Sequence, residues 1–183
     1  MKLAGDDLKK EYESMLLSLN IFEEMVRRLR NEQDAPLEDI REIVDFFKLF
    51  VDKCHHGKEE QIYFPAMNEF ADASQKLLIG EMFEEHGQVR RYITQMSAAV
   101  SGEEFQEGLF FLSAKGFMAA LRAHIERENE VLLPLAEQLL PAEKQAELGQ
   151  AFAAFDEKVM DAGKGEELHE MLHRLEEKYL TSV

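Results

Sequence analysis

Histidine and glutamate recur four residues apart at two places in the chain. His56 and Glu60 form the first pair, and His124 and Glu128 form the second. Residues four apart in an α-helix lie one turn apart on the same face, so each pair presents an imidazole and a carboxylate together. Because both groups are common metal ligands, each pair is predicted to be a chelating half-site.

Both pairs are preceded by a helix that carries an acidic residue beside a further candidate ligand. Glu11-Tyr12 precedes the first pair, and Glu85-His86 precedes the second. The chain therefore resembles two copies of one module, related by a pseudo-twofold axis. Such an arrangement is suited to two metal ions bridged by two glutamates. Tyr12 stands where this symmetry predicts a histidine.

The candidate ligands interrupt the apolar faces of the predicted helices. His86, for example, follows Met82 and Phe83 and precedes Val89 on one helical face. A buried carboxylate costs several kcal/mol unless it is paired or bound to a metal, and no lysine or arginine was recognised on the facing stripes. Any single histidine is explained as well by a hydrogen-bonded core side chain, and a metal-free helical scaffold remains an alternative. The joint pattern favours a metal site.

Two neighbouring features compete with this prediction. His55 and Glu59 form another pair four residues apart, predicted to face about 100 degrees away from the stripe and to lie outside the ligand set or at the surface. Glu59 stays open as an extra ligand. Cys54 is interpreted as a small buried hydrophobic residue, with redox sensing as the alternative.

Two histidines near the C-terminus match a zinc-hydrolase pattern. Residues 169–173 read His-Glu-Met-Leu-His, in which two histidines would bind zinc and Glu170 would act as general base. The segment lies on a charge-rich final helix with no strand beside it to hold a peptide. We therefore interpret it as a chance match.

The elements that must position these residues are predicted to be helices throughout. Four prolines and ten glycines separate long stretches in which apolar residues recur three and four apart. Pro65 and Pro134 fall late in two of the helices and are expected to kink or end them. Four long helices with short loops predict an up-and-down four-helix bundle, followed by a C-terminal pair. The predicted helices span residues 6–31, 36–69, 74–100, 104–138, 142–160 and 166–181.

Composition excludes several classes of function. The chain has 183 residues and a net charge of −16, which repels nucleic acid and anionic membrane surfaces. No stretch is long and apolar enough for a membrane helix, and residues 1–7 lack the apolar core of a signal peptide. A single cysteine suits a reducing compartment. We expect one cytoplasmic domain over residues 1–183.

Three segments, taken in order, resemble the hemerythrin-like family, whose HHE cation-binding domain is a four-helix bundle with a non-haem di-iron centre. They are residues 54–60 (Cys-His-His-Gly-Lys-Glu-Glu), Glu85-His86 and residues 124–128 (His-Ile-Glu-Arg-Glu). The resemblance covers about residues 6–140, which would form the bundle, and residues 141–183 would form a C-terminal helical extension.

The resemblance implies a set of metal ligands. His56, His86 and His124 would be terminal ligands, and Glu60 and Glu128 would bridge two iron ions. An oxo or hydroxo group would also bridge the two ions. Manganese and zinc are alternatives, although two-metal carboxylate sites in bundles favour iron.

The departure from the family lies at the first ligand, where Tyr12 replaces the usual histidine. Tyr12 could bind ferric iron through its phenolate or be a core aromatic beside an open position. A centre with open positions suits binding or reducing oxygen, peroxide or nitric oxide, with peroxidase or catalase-like activity, better than reversible oxygen carriage. The alternative is an iron- or oxygen-responsive module that regulates or repairs through a protein partner.

Overall fold

The computed structural model describes residues 3–181, and it consists of six helices without a strand in that range. The all-α prediction is confirmed. Residues 1–2 and 182–183, the two ends of the predicted domain, lie outside the described residues. None of the helices in residues 3–181 combines the length and apolar character needed to cross a membrane. The helices are α1 (Ala4–Arg30), α2 (residues 37–70), α3 (Ala73–Ser101), α4 (residues 107–139), α5 (Ala142–Val159) and α6 (residues 164–181).

Helices α2 and α4 continue through their prolines, and each changes to the wider π-helical turn just before them. A proline ring clashes with the carbonyl four residues earlier and offers no N–H, so a π turn relieves both problems locally. Each proline was expected to kink or end its helix, and neither helix ends there. In α2 the π segments are Phe47–His56 and Glu59–Tyr63, and in α4 the π segment is Glu128–Leu132.

Aromatic side chains from three helices form the centre of the bundle. The ring of Phe47 in α2 lies 5.3 Å from that of Phe22 in α1 and 4.5 Å from that of Phe117 in α4. All three rings are buried in one continuous apolar core. This packing holds α1, α2 and α4 side by side and so fixes the inner faces that carry the candidate ligands.

The C-terminal helices pack against the bundle rather than extending away from it. In α5, Phe152 is buried with its ring 5.9 Å from that of Tyr63, and Gln145 accepts a hydrogen bond from the Ala4 amide. In α6, Tyr179 is buried and donates a 2.6 Å hydrogen bond to Asp39 near the start of α2. Asp39 also accepts a hydrogen bond from Lys178. This carboxylate therefore anchors α6.

The Asp39 contacts predict a pH-dependent contribution to stability. Burial alone would raise the pKa of Asp39, but hydrogen bonds from Lys178 and Tyr179 lower it below its ordinary value of 3.8. With a depressed folded-state pKa, the stabilisation is present above the unfolded value and is lost as the pH falls through the folded value. We expect Asp39→Asn to lower the free energy of unfolding by about 1–3 kcal/mol at neutral pH.

Chemical denaturation from neutral pH downward measures this effect. The difference between wild type and Asp39→Asn should shrink in acid, where the wild-type carboxyl becomes neutral. The exposed neighbour Glu38 supplies the control, since Glu38→Gln should change stability by less than about 0.5 kcal/mol. Parallel stability curves for wild type and Asp39→Asn throughout the acid range would contradict the anchoring role.

Candidate metal centre

Three helices of the bundle bring six ligand-type side chains into one buried cluster, and α1 adds a phenol. Five of the six side chains have no exposed surface, and the sixth is 1% exposed. The cluster consists of His55, His56 and Glu59 from α2, His86 from α3, and His124 and Glu128 from α4, with Tyr12 from α1 beside it.

Within the cluster, the potential ligand atoms form two groups that share Glu59. One group combines Glu59 with three histidines, and the other combines it with His55 and Glu128; within each group the ligand atoms lie within 4.8 Å of one another. The Oε2 atom of Glu59 lies 3.3 Å from His86 Nε2 and 3.6 Å from His55 Nε2. One carboxylate therefore faces both groups. The histidines of the first group are His56, His86 and His124.

Glu128 lies between the two groups in the same way. Its Oε1 atom is 3.2 Å from His124 Nε2, and its Oε2 atom is 3.9 Å from His55 Nε2. Two carboxylates that each span two sets of imidazoles can bridge a pair of cations. The two-metal arrangement itself stays a prediction.

Six buried polar atoms of the cluster have no hydrogen-bond partner anywhere in residues 3–181. Orphaned buried polar atoms are rare because each costs the free energy of its lost hydration. Here they belong to donors that bind metal ions and that face one another. The residues present thus fit a pair of divalent cations. The atoms are both oxygens of Glu59, both ring nitrogens of His56, Nε2 of His55 and Oε1 of Glu128.

The pKa shifts within the cluster indicate which side chains carry protons when no metal is bound. Burial, and then the neighbouring imidazoles of His86 and His124, lower the pKa of His56, so this ring is the neutral form that binds metals. Burial alone would lower the pKa of His55, but Glu59 and Glu11 outweigh it and raise the pKa to about 10. Burial and Glu128 raise the pKa of Glu59. Burial alone would also lower the pKa values of His86 and His124, but Glu128 outweighs it and raises both, so a cation binding here would compete with protons on all three histidines.

The predicted orientation of the glutamates in α2 is wrong. Glu59, expected to face away, has no exposed surface, whereas the side chain of Glu60 is 23% exposed and pairs with Arg90. His55 was also expected to face away but is fully buried. The prediction assumed 100 degrees per residue, but the wider π turn rotates consecutive residues by less, so His55 and His56 both face inward.

One sequence signal distinguishes the two glutamates. The residue spacing from histidine to glutamate to proline is identical in α2 and α4 when Glu59 is chosen, but it differs by one residue when Glu60 is chosen. The matching sets are His55, Glu59 and Pro65 in α2, and His124, Glu128 and Pro134 in α4.

Three imidazoles are oriented by carboxylates on their outer nitrogens. The Nδ1 atom of His55 lies 2.6 Å from Glu11, that of His124 lies 2.7 Å from Glu85, and that of His86 lies 3.0 Å from Glu60. A carboxylate on Nδ1 fixes the ring and leaves Nε2 directed at the metal position. Glu60 thus contacts the cluster from outside.

Each outer carboxylate is in turn paired with a cation. Lys58 contacts Glu11, Arg127 donates to Glu85 at 2.5 Å, and Arg90 donates to Glu60 at 3.0 Å. These pairs keep the outer carboxylates charged; for Glu85, burial is outweighed by hydrogen bonds from His124 and Arg127, which lower its pKa. His56 is the exception among the four inner histidines, because neither ring nitrogen has a partner in the described part of the chain.

Tyr12 lies at the edge of the cluster as a hydrogen-bond donor. Its hydroxyl donates to Glu128 Oε2 at 2.7 Å, and its ring lies 5.2 Å from that of His55 in an edge-on arrangement. Burial, and then the charge of Glu128, raise the pKa of Tyr12 well above its ordinary value. The phenol is therefore protonated in the absence of a cation.

The remaining residues singled out from the sequence lie away from the cluster. His169 and His173 are exposed on α6. Cys54 is buried, and its thiol donates to Asp156 at 3.1 Å. Burial raises the pKa of this thiol, which agrees with a structural role.

Comparisons with known proteins identify a family of cation-binding domains. The family model described as the hemerythrin HHE cation binding domain matches residues 8–136. No solved structure matches the chain at a significant level.

Uncharacterized proteins of Mycobacterium bovis and of two Mycobacterium tuberculosis strains are each 20% identical over 151 residues. The match covers 81% of this chain but only 59% of each relative, so the chain spans about three-fifths of their length. The family match reaches all four bundle helices, includes every residue of the buried cluster and covers more than half of the chain, so the chain belongs to the hemerythrin HHE cation-binding family.

Proposed function

We propose that the centre binds two iron ions and that the protein binds or reduces a small molecule, namely dioxygen, peroxide or nitric oxide. The observation that carries this proposal is the set of buried ligand atoms without hydrogen-bond partners in residues 3–181. One ion would be held by His56, His86 and His124, and the other by His55. Glu59 and Glu128 would bridge them.

The donor set supports iron over other metals. Imidazole and carboxylate ligands without a thiolate suit iron, manganese or zinc, and paired metals bound by carboxylates in helical bundles favour iron. Bound iron would supply the change of oxidation state and a coordination position for the small molecule.

An uneven distribution of imidazoles supports reaction at one side of the centre. Three histidines serve one group, whereas His55 is the single histidine of the other. Tyr12 lies on the His55 side and donates to Glu128, so in this proposal it would hold the carboxylate in place instead of binding iron. The proposed open position therefore lies beside His55 and Tyr12.

The burial of the cluster supports the proposal that its substrate is a small molecule. The imidazoles and bridging carboxylates are at most 1% exposed, and the ring of Phe64 stacks 5.5 Å from that of His86. Such an enclosed apolar wall limits water at the centre and excludes large organic substrates.

Neighbouring glutamates in α2 provide a matched test of the metal site. We expect Glu59→Gln to abolish retention of two irons, because both metal positions lose a shared carboxylate. Glu60→Gln should retain two irons with affinity reduced by about tenfold to a hundredfold, as expected for loss of a group that only orients His86. Elemental mass spectrometry after anaerobic loading with ferrous iron and desalting measures both.

Thermal unfolding of both metal-free variants controls for misfolding. Two irons retained by folded Glu59→Gln, or lost only from Glu60→Gln, would contradict the assignment of the bridge. A wild-type protein that retains no metal under these conditions would refute the proposed function itself.

Substitution of Tyr12 tests the open position. We expect Tyr12→His to supply the missing imidazole and to slow peroxide consumption by on the order of tenfold, a change of about 1.4 kcal/mol in activation free energy. Tyr12→Phe should keep the position open and remain within about threefold of wild type. Stopped-flow absorption of the iron-loaded proteins measures both rates, and metal content must be equal for the comparison.

The opposite ranking, with Tyr12→His as fast as wild type and Tyr12→Phe inactive, would show that the phenol itself takes part in the reaction. An iron-phenolate absorption band present in wild type and absent from Tyr12→Phe would likewise assign Tyr12 as a ligand.

A further inference from the structure

Helix α5, outside the four-helix bundle, contacts the residues that orient His55. We infer that Asp156 of α5 is a positioning residue that fixes the imidazole of His55 through Lys58 and Glu11. This inference rests on the proposed function, since His55 is a proposed metal ligand, and it extends that function by making the C-terminal helices part of the centre.

The contacts form a continuous chain from α5 to the cluster. Asp156 Oδ1 lies 3.0 Å from Lys58 Nζ, and Lys58 contacts Glu11 Oε1. The other oxygen of Glu11, Oε2, lies 2.6 Å from His55 Nδ1. The first two links join oppositely charged groups, and the third joins a carboxylate to an imidazole nitrogen; hydrogen bonds to a charged group are stronger than those between neutral groups.

Burial of Lys58 makes Asp156 necessary to this chain. The Lys58 side chain is only 1% exposed, and an enclosed ammonium must be compensated by nearby carboxylates. Glu11 and Asp156 supply that compensation from two different helices. Without Asp156, the full attraction of Lys58 would act on Glu11 and draw it away from the His55 ring.

The other half of the centre lacks this dependence on α5. Arg127 occupies the equivalent position, three residues after His124, and pairs with Glu85 and with Glu81 of α3. The Arg127 side chain is 34% exposed, so solvent also stabilises its charge. The symmetry of the two halves therefore breaks at Asp156, on the same side as Tyr12 and the single histidine.

Helix α5 approaches α2 closely beside these contacts. A Cβ atom on Gly57 would lie 2.9 Å from the ring of Phe155, so the glycine leaves room for this residue. Asp156, the next residue, also accepts a hydrogen bond from Cys54 at 3.1 Å. Together with the ion pair between Asp156 and Lys58, these contacts fix α5 against α2 beside the outer edge of the centre.

Asp156→Asn in the full chain tests the inference, with two controls. Glu157→Gln removes an exposed neighbouring charge, and Leu148→Ala loosens the packing of α5 at a buried apolar residue away from the carboxylate. Long-range proton–nitrogen NMR of the metal-free proteins reports on the Nδ1 proton of His55. Elemental mass spectrometry during chelator challenge of the iron-loaded proteins reports how fast each of the two irons is lost.

We expect Asp156→Asn to shift the Nδ1 resonance of His55, to leave that of His124 in place, and to accelerate loss of one of the two irons by about tenfold. Glu157→Gln should match wild type in both measurements. Leu148→Ala should lower the melting temperature without a selective shift of His55.

An unchanged His55 resonance in folded Asp156→Asn would overturn the inference, as would an equal shift in Leu148→Ala. Because the NMR measurement uses metal-free protein, it tests the positioning role even if the wild type binds no iron. Failure of the proposed function would be seen separately, in the metal content of the wild type.

Discussion

Two carboxylates buried in the same apolar core are the constraint on which the rest of the structure depends. Glu59 and Glu128 have no exposed surface, and three of their four oxygens lack a hydrogen-bond partner in the described residues. Enclosing such charges costs several kcal/mol each unless cations compensate them. The surrounding features compensate them: inward histidines, a phenol that donates to Glu128, and an outer layer of carboxylates and basic side chains that orients the imidazoles. A fold optimised only for stability would have placed apolar residues here, so the cluster is interpreted as functional.

The two halves of the bundle share a plan and differ where reactivity is proposed. Both have a histidine, a glutamate and a proline at the same spacing, and both have an acidic residue from the preceding helix on the histidine Nδ1. One half gathers three imidazoles, whereas the other has His55, Tyr12 and a contact with α5. In the proposed centre, similar protein elements would thus give two unlike metal positions, one with more imidazole ligands than the other.

The sequence predicted the helices well because their apolar periodicity and breaks are local features. It also oriented His124 and Glu128 correctly, because α4 keeps the regular α-helical repeat as far as Arg127. In α2 the π-helical turns begin at Phe47, so the angular position of each later residue departs from that of a regular helix before His55 is reached. Hydrophobic spacing does not reveal such a change.

The contact between Lys58 and Asp156 was equally inaccessible from the sequence, because it joins residues 98 apart through the packing of α5. No local pattern indicates which acidic residue of a charge-rich helix will meet a buried lysine. Tertiary contacts of this kind became visible only in the folded chain.

Anomalous diffraction at the iron edge, from crystals of the iron-loaded protein, tests the central claim most directly. We expect two peaks, one contacting His56, His86 and His124 and the other contacting His55, with Glu59 and Glu128 touching both. A single peak, no peak, or two ions bridged by Glu60 in place of Glu59 would contradict it.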